Sequence, residues 1–358
     1  MKEYPLMKAT IILFFLSLLI VTLYYSRVFL IPVVFASLIA MLLRPLTEKL
    51  ERVKLGKVPP ILISLLIVLG IVTGIGLIFY KQVVRLSQDI VLIQAKTLEK
   101  IKKVLLAVEE RTSISYAEQI EWLNHKWAGI LESGDYYIRS LIFGVTEALA
   151  ILGIILIYIF FFLLYRKRFK VFILKLFKKE AHSKVLHIII RIQSLIQQYL
   201  QGLLIELTLL GTLNAIGLSI LGIKQAVFFG YLAGLLNIIP YVGTLLGGVF
   251  PVLMALLFKD SIWYAVGAAA VLSFNQFIDN NFLTPKIVGS HVQVNPLATI
   301  MVIIVGGLIW GIPGMILFIP LLGICKIIFD NIEPLKPFGY LLGEDKDNEI
   351  PSTKPEPV

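Results

Sequence analysis

The chain reads as an all-α, polytopic integral membrane protein, and three observations predict this. Hydrophobic residues make up 58% of the sequence and charged residues only 16%, where soluble domains carry about 25% charged residues. Mean hydropathy is +0.88. Several apolar runs approach or exceed the roughly 20 residues that a helix needs to cross about 30 Å of hydrocarbon. The sequence lacks the alternating pattern of an outer-membrane barrel, so the spans are expected to be helices whose backbones satisfy themselves. The net charge of +10 is concentrated in short loops beside apolar runs. That distribution follows the positive-inside rule, and no nucleic-acid partner is expected.

The first elements form an N-terminal three-helix membrane region, 1–80. Ala9–Tyr25 is apolar without a small-residue cleavage site, and Phe29–Leu43 follows after only Ser26, Arg27 and Val28, so a retained helical hairpin is expected rather than a signal peptide. The next loop carries Arg44, Lys49, Arg52, Lys54 and Lys57 and reads as cytoplasmic. A third span covers Ile61–Tyr80. Beyond it, 81–140 is the only long hydrophilic region, with nine Lys or Arg against eight Asp or Glu. Its apolar residues recur near helical spacing, which predicts an extracytoplasmic helical insert. Trp122, His125 and Trp127 within it are read as packing groups.

The fourth transmembrane helix is placed at 141–165 and cytoplasmic amphipathic basic helices at 166–200. From Arg166 to Lys184 there are eight Lys or Arg and one Glu. Phe169, Phe172, Leu176 and Phe177 share the first of these helices, which suits a position in the headgroup layer. The second carries Val185, Ile188, Ile192, Leu195 and Tyr199 and leads into the fifth span, Leu203–Leu221. That span contains Glu206, Thr208, Thr212 and Asn214. A carboxylate in hydrocarbon is costly, so Glu206 is either a coupling residue or an interfacial, hydrated one.

The transport region is placed at 201–335, and 336–358 is a flexible cytoplasmic tail. Two apolar segments here, Ala226–Phe258 and Leu297–Ile328, are longer than one crossing needs and are interrupted by Pro and Gly. The breaks fall at Pro240 and Gly243 in the first and at Gly311, Pro313 and Gly314 in the second. Paired interrupted segments point to a transporter binding site, because broken helix ends supply backbone donors and acceptors inside the membrane. Close helix packing through glycine is the competing explanation. Between the segments lies a polar island with Asn275, Gln276, Asp279, Asn280, Asn281, Pro285 and Lys286, ending at Asn295 and Pro296. Asn275 and Asp279, like Gln276 and Asn280, stand four residues apart and share one helix edge. This cluster, with Asn237 and Tyr241 near the first break, is the candidate pathway for a solute or ion, and Asp279 can carry a proton. A helix end followed by a turn is the alternative for the island. If both interrupted segments cross the membrane once, the island is a loop on the outer side. If both are re-entrant hairpins, it lies inside.

Four motifs carry a family resemblance: Asn237-Ile-Ile-Pro-Tyr-Val-Gly, Gln276-Phe-Ile-Asp-Asn-Asn-Phe-Leu-Thr-Pro-Lys-Ile-Val-Gly, Asn295-Pro-Leu and Gly306-Gly-Leu-Ile-Trp-Gly-Ile-Pro-Gly. Together they resemble the autoinducer-2 exporter family of bacterial permeases. The resemblance implies a homo-oligomeric transporter of the bacterial inner membrane that exports small polar solutes, and with the N-terminus inside either count of crossings leaves both termini cytoplasmic. Cation–proton exchange is ascribed to some members, so a sodium–proton antiporter is the alternative within the family. The family pattern often has Glu where Asn237 stands, Glu at Asp279 and His at Asn295, so of these only the acidic function at Asp279 carries over. A scaffold or sensor acting through the insert is the alternative of another class.

Enzymatic motifs are missing from the sequence. It has no His-Glu-x-x-His helix, no Gly-x-Ser-x-Gly elbow and no phosphate-binding Gly-rich loop. The reading is a non-enzyme without cofactor or metal, working by secondary or passive transport. The lone Cys325 is read as a packing residue.

Overall fold

A computed structural model describes residues 5–53, 56–88, 149–239, 242–289 and 294–344. Among these residues the architecture is helical, with one isolated β-bridge between Val294 and Gly343. Helices α1 (Pro5–Tyr25) and α2 (Arg27–Glu51) meet at Ser26, where the helical hydrogen-bond ladder carries on (Ser26 N–H to the Thr22 carbonyl, Leu30 N–H to the Ser26 carbonyl), so they do not fold back on each other as the expected hairpin, and α2 runs past its expected end at Leu43. Helix α3 runs from Val58 to Gln88 and continues past the expected end of its span. Helix α4 (Leu149–Lys175) packs with α2 and α3 through Ala36, Leu43, Ile61, Ile159 and Leu163. Buried Thr47 and Ser64 share a 3.0 Å hydrogen bond across α2 and α3. Residues 89–148, which include most of the expected insert with Trp122, His125 and Trp127, lie outside the described residues.

Two boundaries differ from expectation. The basic segment after Tyr165 is no separate helix but the continuation of α4 as far as Lys175. The amphipathic stretch before the fifth span is likewise the first half of a single 39-residue helix, α5 (His182–Ile220). Nothing in either stretch breaks a helix: Pro is absent, and the change from lipid-facing to amphipathic character alters the partner of a face without interrupting its hydrogen-bond ladder. The first half of α5 packs on α2 and the C-terminal helices through Leu38, Leu195, Ile196 and Ile327. Arg44 of α2 bonds Gln193, and Arg166 of α4 pairs with Glu51. This end of the molecule is its basic face.

The second half of α5 carries α6 (Ala226–Leu236), packed antiparallel on it. The seam is built from small residues: a side chain on Gly230 would strike the Ala215 backbone, and one on Gly234 would meet Leu207 and Gly211. Such close approach lets dispersion hold helices together where lipid offers no hydrophobic drive. Helix α7 (Val242–Phe258) folds back on α6, with Gly243 against Leu236 and Gly247 against Ala233. The first interrupted segment is therefore a hairpin. Its 11-residue arm α6 reaches roughly 16 Å at about 1.5 Å per residue, half the hydrocarbon depth. The break lies between Leu236 and Val242; Pro240 and Tyr241 fall outside the described residues.

Helix α8 (Trp263–Ile278) does not end in a turn. Helical backbone continues through Asp279–Leu283 and Pro285–Gly289 in π geometry. The Thr284 N–H bonds the Asp279 carbonyl, five residues back. Pro285 has no N–H to donate, and the wider register takes up the misfit without ending the helix. The island expected as a helix end and loop is thus the second half of a continuous rod. This rod runs antiparallel to α5: Gly217 meets Val271, Asn275 bonds Asn214, Thr284 bonds Glu206, and Gly202 meets Ile287.

The second interrupted segment is also a hairpin. Helix α9 (Pro296–Trp310) turns at Gly311, whose φ of +64° favours glycine, into α10 (Ile312–Asn331). Gly306 and Gly314 touch backbone to backbone, and Pro313 sits in the first turn of α10. A short helix α11 (Lys336–Leu342) closes the chain beside the start of α9. Both segments therefore fold as helical hairpins, and they start from opposite ends of the molecule. Cys325 is exposed on α10 rather than packed.

Candidate functional site

The tip of the α6–α7 hairpin meets the middle of the α8 rod. Asn237, the last residue before the break, donates from Nδ2 to Asp279 Oδ2 at 3.0 Å. Gln276 Nε2 lies 3.2 Å from the same oxygen, 3.4 Å from Asn237 Oδ1 and 3.1 Å from Asn280 Oδ1. Thr244, in the first turn of α7, donates to Asn237 Oδ1 at 3.1 Å. Among the described residues, the hairpin tip is thereby tied to the rod through side-chain amides, one hydroxyl and a carboxylate.

Asp279 is 1% exposed, and among the described residues its buried Oδ1 has no hydrogen-bond partner. Glu206, 7% exposed on α5, lies close enough to interact electrostatically with it, and Thr284 donates to Glu206 Oε1 at 3.0 Å. Glu206 therefore belongs to the cluster and is no hydrated interfacial group. Two like charges about 4 Å apart repel by about 4 kcal/mol even at an effective dielectric of 20. A buried pair of carboxyls holds together when a proton or a cation lies between them.

The residues named from sequence divide into two sets. Asn237, Gln276, Asp279, Asn280 and Glu206 converge. Asn275 faces α5 instead, donating to Asn214 Oδ1 at 2.9 Å. Asn281 bonds back to the Phe277 carbonyl, and Lys286 lies beyond the cluster on the second π segment. Asn295 and Pro296, assigned to the pathway from sequence, are placed elsewhere. The Asn295 side chain caps α9 by accepting from Ala298 N–H at 2.8 Å and donates to the Leu341 carbonyl at 2.7 Å, and Pro296 opens the helix. All of that amide's reach is used by local structure. Gly311, Pro313 and Gly314 shape the second hairpin, whose Trp310 donates to the Leu23 carbonyl of α1 at 2.9 Å, away from Asp279.

Sequence reasoning missed Thr244, Thr284 and Asn214 as members of the site. Thr284 stands five residues from Asp279, so an α-helical period turns it away, and only the π register brings it round. Asn214 was visible as an amide inside an apolar span. Among the described residues no group of three or more His, Cys, Asp or Glu forms a metal cluster.

A polytopic helical fold with hairpins starting from opposite ends, one of them tipped onto a buried carboxyl, defines the class: a membrane transport protein. The sequence pattern of the AI-2E family transporters matches residues 13–333. YueF of Bacillus subtilis, described as a candidate transport protein, is 29% identical over 320 residues, covering 84% of this chain and 83% of that one. YrrI of the same organism, described in the same way, is 25% identical over 83% of this chain and 85% of its own. The AI-2 transport protein TqsA of Escherichia coli is 29% identical over 127 residues, 36% of this chain and 37% of that protein. The chain belongs to the AI-2E transporter family and is a multi-pass membrane transporter.

Proposed function

We propose that this protein is a secondary transporter that exports small polar solutes, with a proton or a cation carried by the Glu206–Asp279 pair. The observation that carries the reading is the buried carboxyl of Asp279, held by Asn237 at the tip of a broken helix beside a second buried carboxyl, Glu206. Such a pair is stable in hydrocarbon only while it holds positive charge. Opening the hairpin tip to water on one side discharges it, and closing requires a new proton or cation. Solute passage and ion passage are thereby linked through Asn237 and Gln276, which bond the carboxylate and border the space a solute enters. The oxygen set of Glu206, Asp279 and Thr284 suits a hard cation such as sodium as well as a proton.

The basic face, with Arg44 and Arg166–Lys179, is assigned to the cytoplasm of a bacterial inner membrane, and assembly as a homo-oligomer is part of the proposal. Purified protein in proteoliposomes tests it. Efflux from a panel of neutral and charged small solutes is read with an internal pH dye, in parallel arms with and without sodium. Solute-dependent proton or sodium movement that disappears in Asp279→Asn supports the reading. Protein that moves nothing across the panel overturns it and leaves the scaffold alternative.

A further inference from the structure

A cavity of about 580 Å³ opens between α7 and α8, beside the carboxyl cluster. One wall is a row of hydrogen-bonding groups, from Asn214 and Ser273 through Gln276 to Asn280, with Thr244 facing them from α7. The other wall is apolar, built from Leu245, Val249 and Val252 of α7, with Leu272 of α8. The described residues that line it include no Asp, Glu, Lys, Arg or His. Asp279 does not supply the missing charge, since its carboxyl is buried behind the Asn237 and Gln276 amides.

Ser273 and Asn280 are exposed on this cleft at the depth of the hairpin tip. Polar side chains at that depth require water or a polar ligand, because hydrocarbon offers neither donor nor acceptor. The apolar wall makes the opposite demand. We infer that this cleft is the solute site of the transporter and that it takes uncharged amphipathic molecules, with a hydrogen-bonding edge against the α8 amides and an apolar body against α7. The inference rests on the transporter reading and narrows it. A net charge on the solute meets no counter-charge in these walls and loses its hydration on entry. A solute with hydroxyls on every side leaves several of them unpaired against Leu245, Val249 and Val252.

A matched set of probes tests this with the full-length protein in nanodiscs and no gradient. N-acetylphenylalaninamide is uncharged with an apolar body. N-acetylphenylalanine and phenylalaninamide have the same body with a negative or a positive charge, and N-acetylglycinamide is uncharged without the body. Two reporters, Ser273→Cys and Thr244→Cys, are each made in a Cys325→Ser background and alkylated with N-ethylmaleimide, so that misfolding of one leaves the other. The uncharged, apolar probe is expected to slow alkylation by roughly tenfold at saturation, while the other three change it by less than about twofold. Val249→Trp should fill the cavity and remove the protection. Asn280→Asp should transfer protection to phenylalaninamide. Equal protection by either charged analogue or by N-acetylglycinamide, or protection by none of the four, overturns the inference. Because alkylation is read without ion movement, a missing solute site and a missing coupling step are separate results.

Discussion

The two hairpins are near twins in sequence and opposites in surroundings. Both segments exceed thirty residues and are predominantly apolar, with Gly and Pro at the break. In the first, the residue at the tip is Asn237, bonded to Asp279 and joined by Thr244. In the second, the tip is Trp310 and Gly311, and the indole spends its one donor on the Leu23 carbonyl of α1. One tip ends on ionisable chemistry and the other ends on backbone. A broken helix in the membrane therefore marks a place where backbone groups need partners, and the partner decides whether the place is a site or a joint.

The strongest challenge to this contrast is Asp279→Asn. It should reduce coupled flux by about two orders of magnitude or more, as expected for removal of an essential charge carrier. The same change removes one of two mutually repelling buried carboxyls, so thermal unfolding should show unchanged or higher stability. A variant that loses both flux and stability would recast Asp279 as a structural group.

The two tips can then be set against each other directly. Asn237→Ala removes a charge-assisted bond to Asp279, worth about 1.5–3 kcal/mol, and should lower flux roughly tenfold, more than any accompanying loss of folded protein accounts for. Trp310→Phe removes the bond to Leu23 and should lower the melting temperature while flux stays near wild type. If Trp310→Phe impairs flux as severely as Asn237→Ala in protein of equal stability, the division between site and joint fails.

Packing supplies the next test. Gly306→Val puts a side chain where the Gly314 backbone lies, and no flexible neighbour can yield. Overpacking of this kind costs about 1–3 kcal/mol or more. The measurable result is a lower melting temperature and reduced recovery of folded protein. Asn295→Ala should be milder, costing about 1 kcal/mol through loss of the α9 cap, with flux retained.

The smallest effect is on the exposed surface. Lys336 bonds Glu333 at 2.7 Å and holds its carboxyl below the usual range. A folded-state value below the unfolded one means the contribution is present at neutral pH and fades as the pH falls through the folded value. Glu333→Gln should therefore leave flux unchanged and slightly flatten the acid-side dependence of the melting temperature.

Much of the fold is legible in one dimension because the bilayer imposes a single rule, that every backbone group crossing it must be paired within the chain. That rule and the composition were enough for the all-α class, for the helices ending near Tyr25 and Ile220, and for the interruptions near Asn237 and Gly311, but not for α2, which runs on from Leu43 to Glu51 through the stretch read as a loop. The boundaries at Tyr165 and Tyr199 were misplaced because a change of polarity on a helix face was taken for a change of element. The site was half legible. Asp279, Gln276 and Asn237 stood out as polar groups among apolar neighbours, but Asn295 looked the same and proved to be a helix cap.

What the sequence determined by itself was the solvent, the helical class and the short roster of groups costly enough in lipid to require a reason. Tertiary structure decided which of them meet. Glu206 joins Asp279 only because α5 and the α8 rod run antiparallel in one register, and Thr284 joins them only because the rod takes π turns ahead of Pro285. The register between helices is not written in residue types. It follows from how small residues such as Gly202 and Gly217 let particular backbones approach, and that is a property of pairs of surfaces.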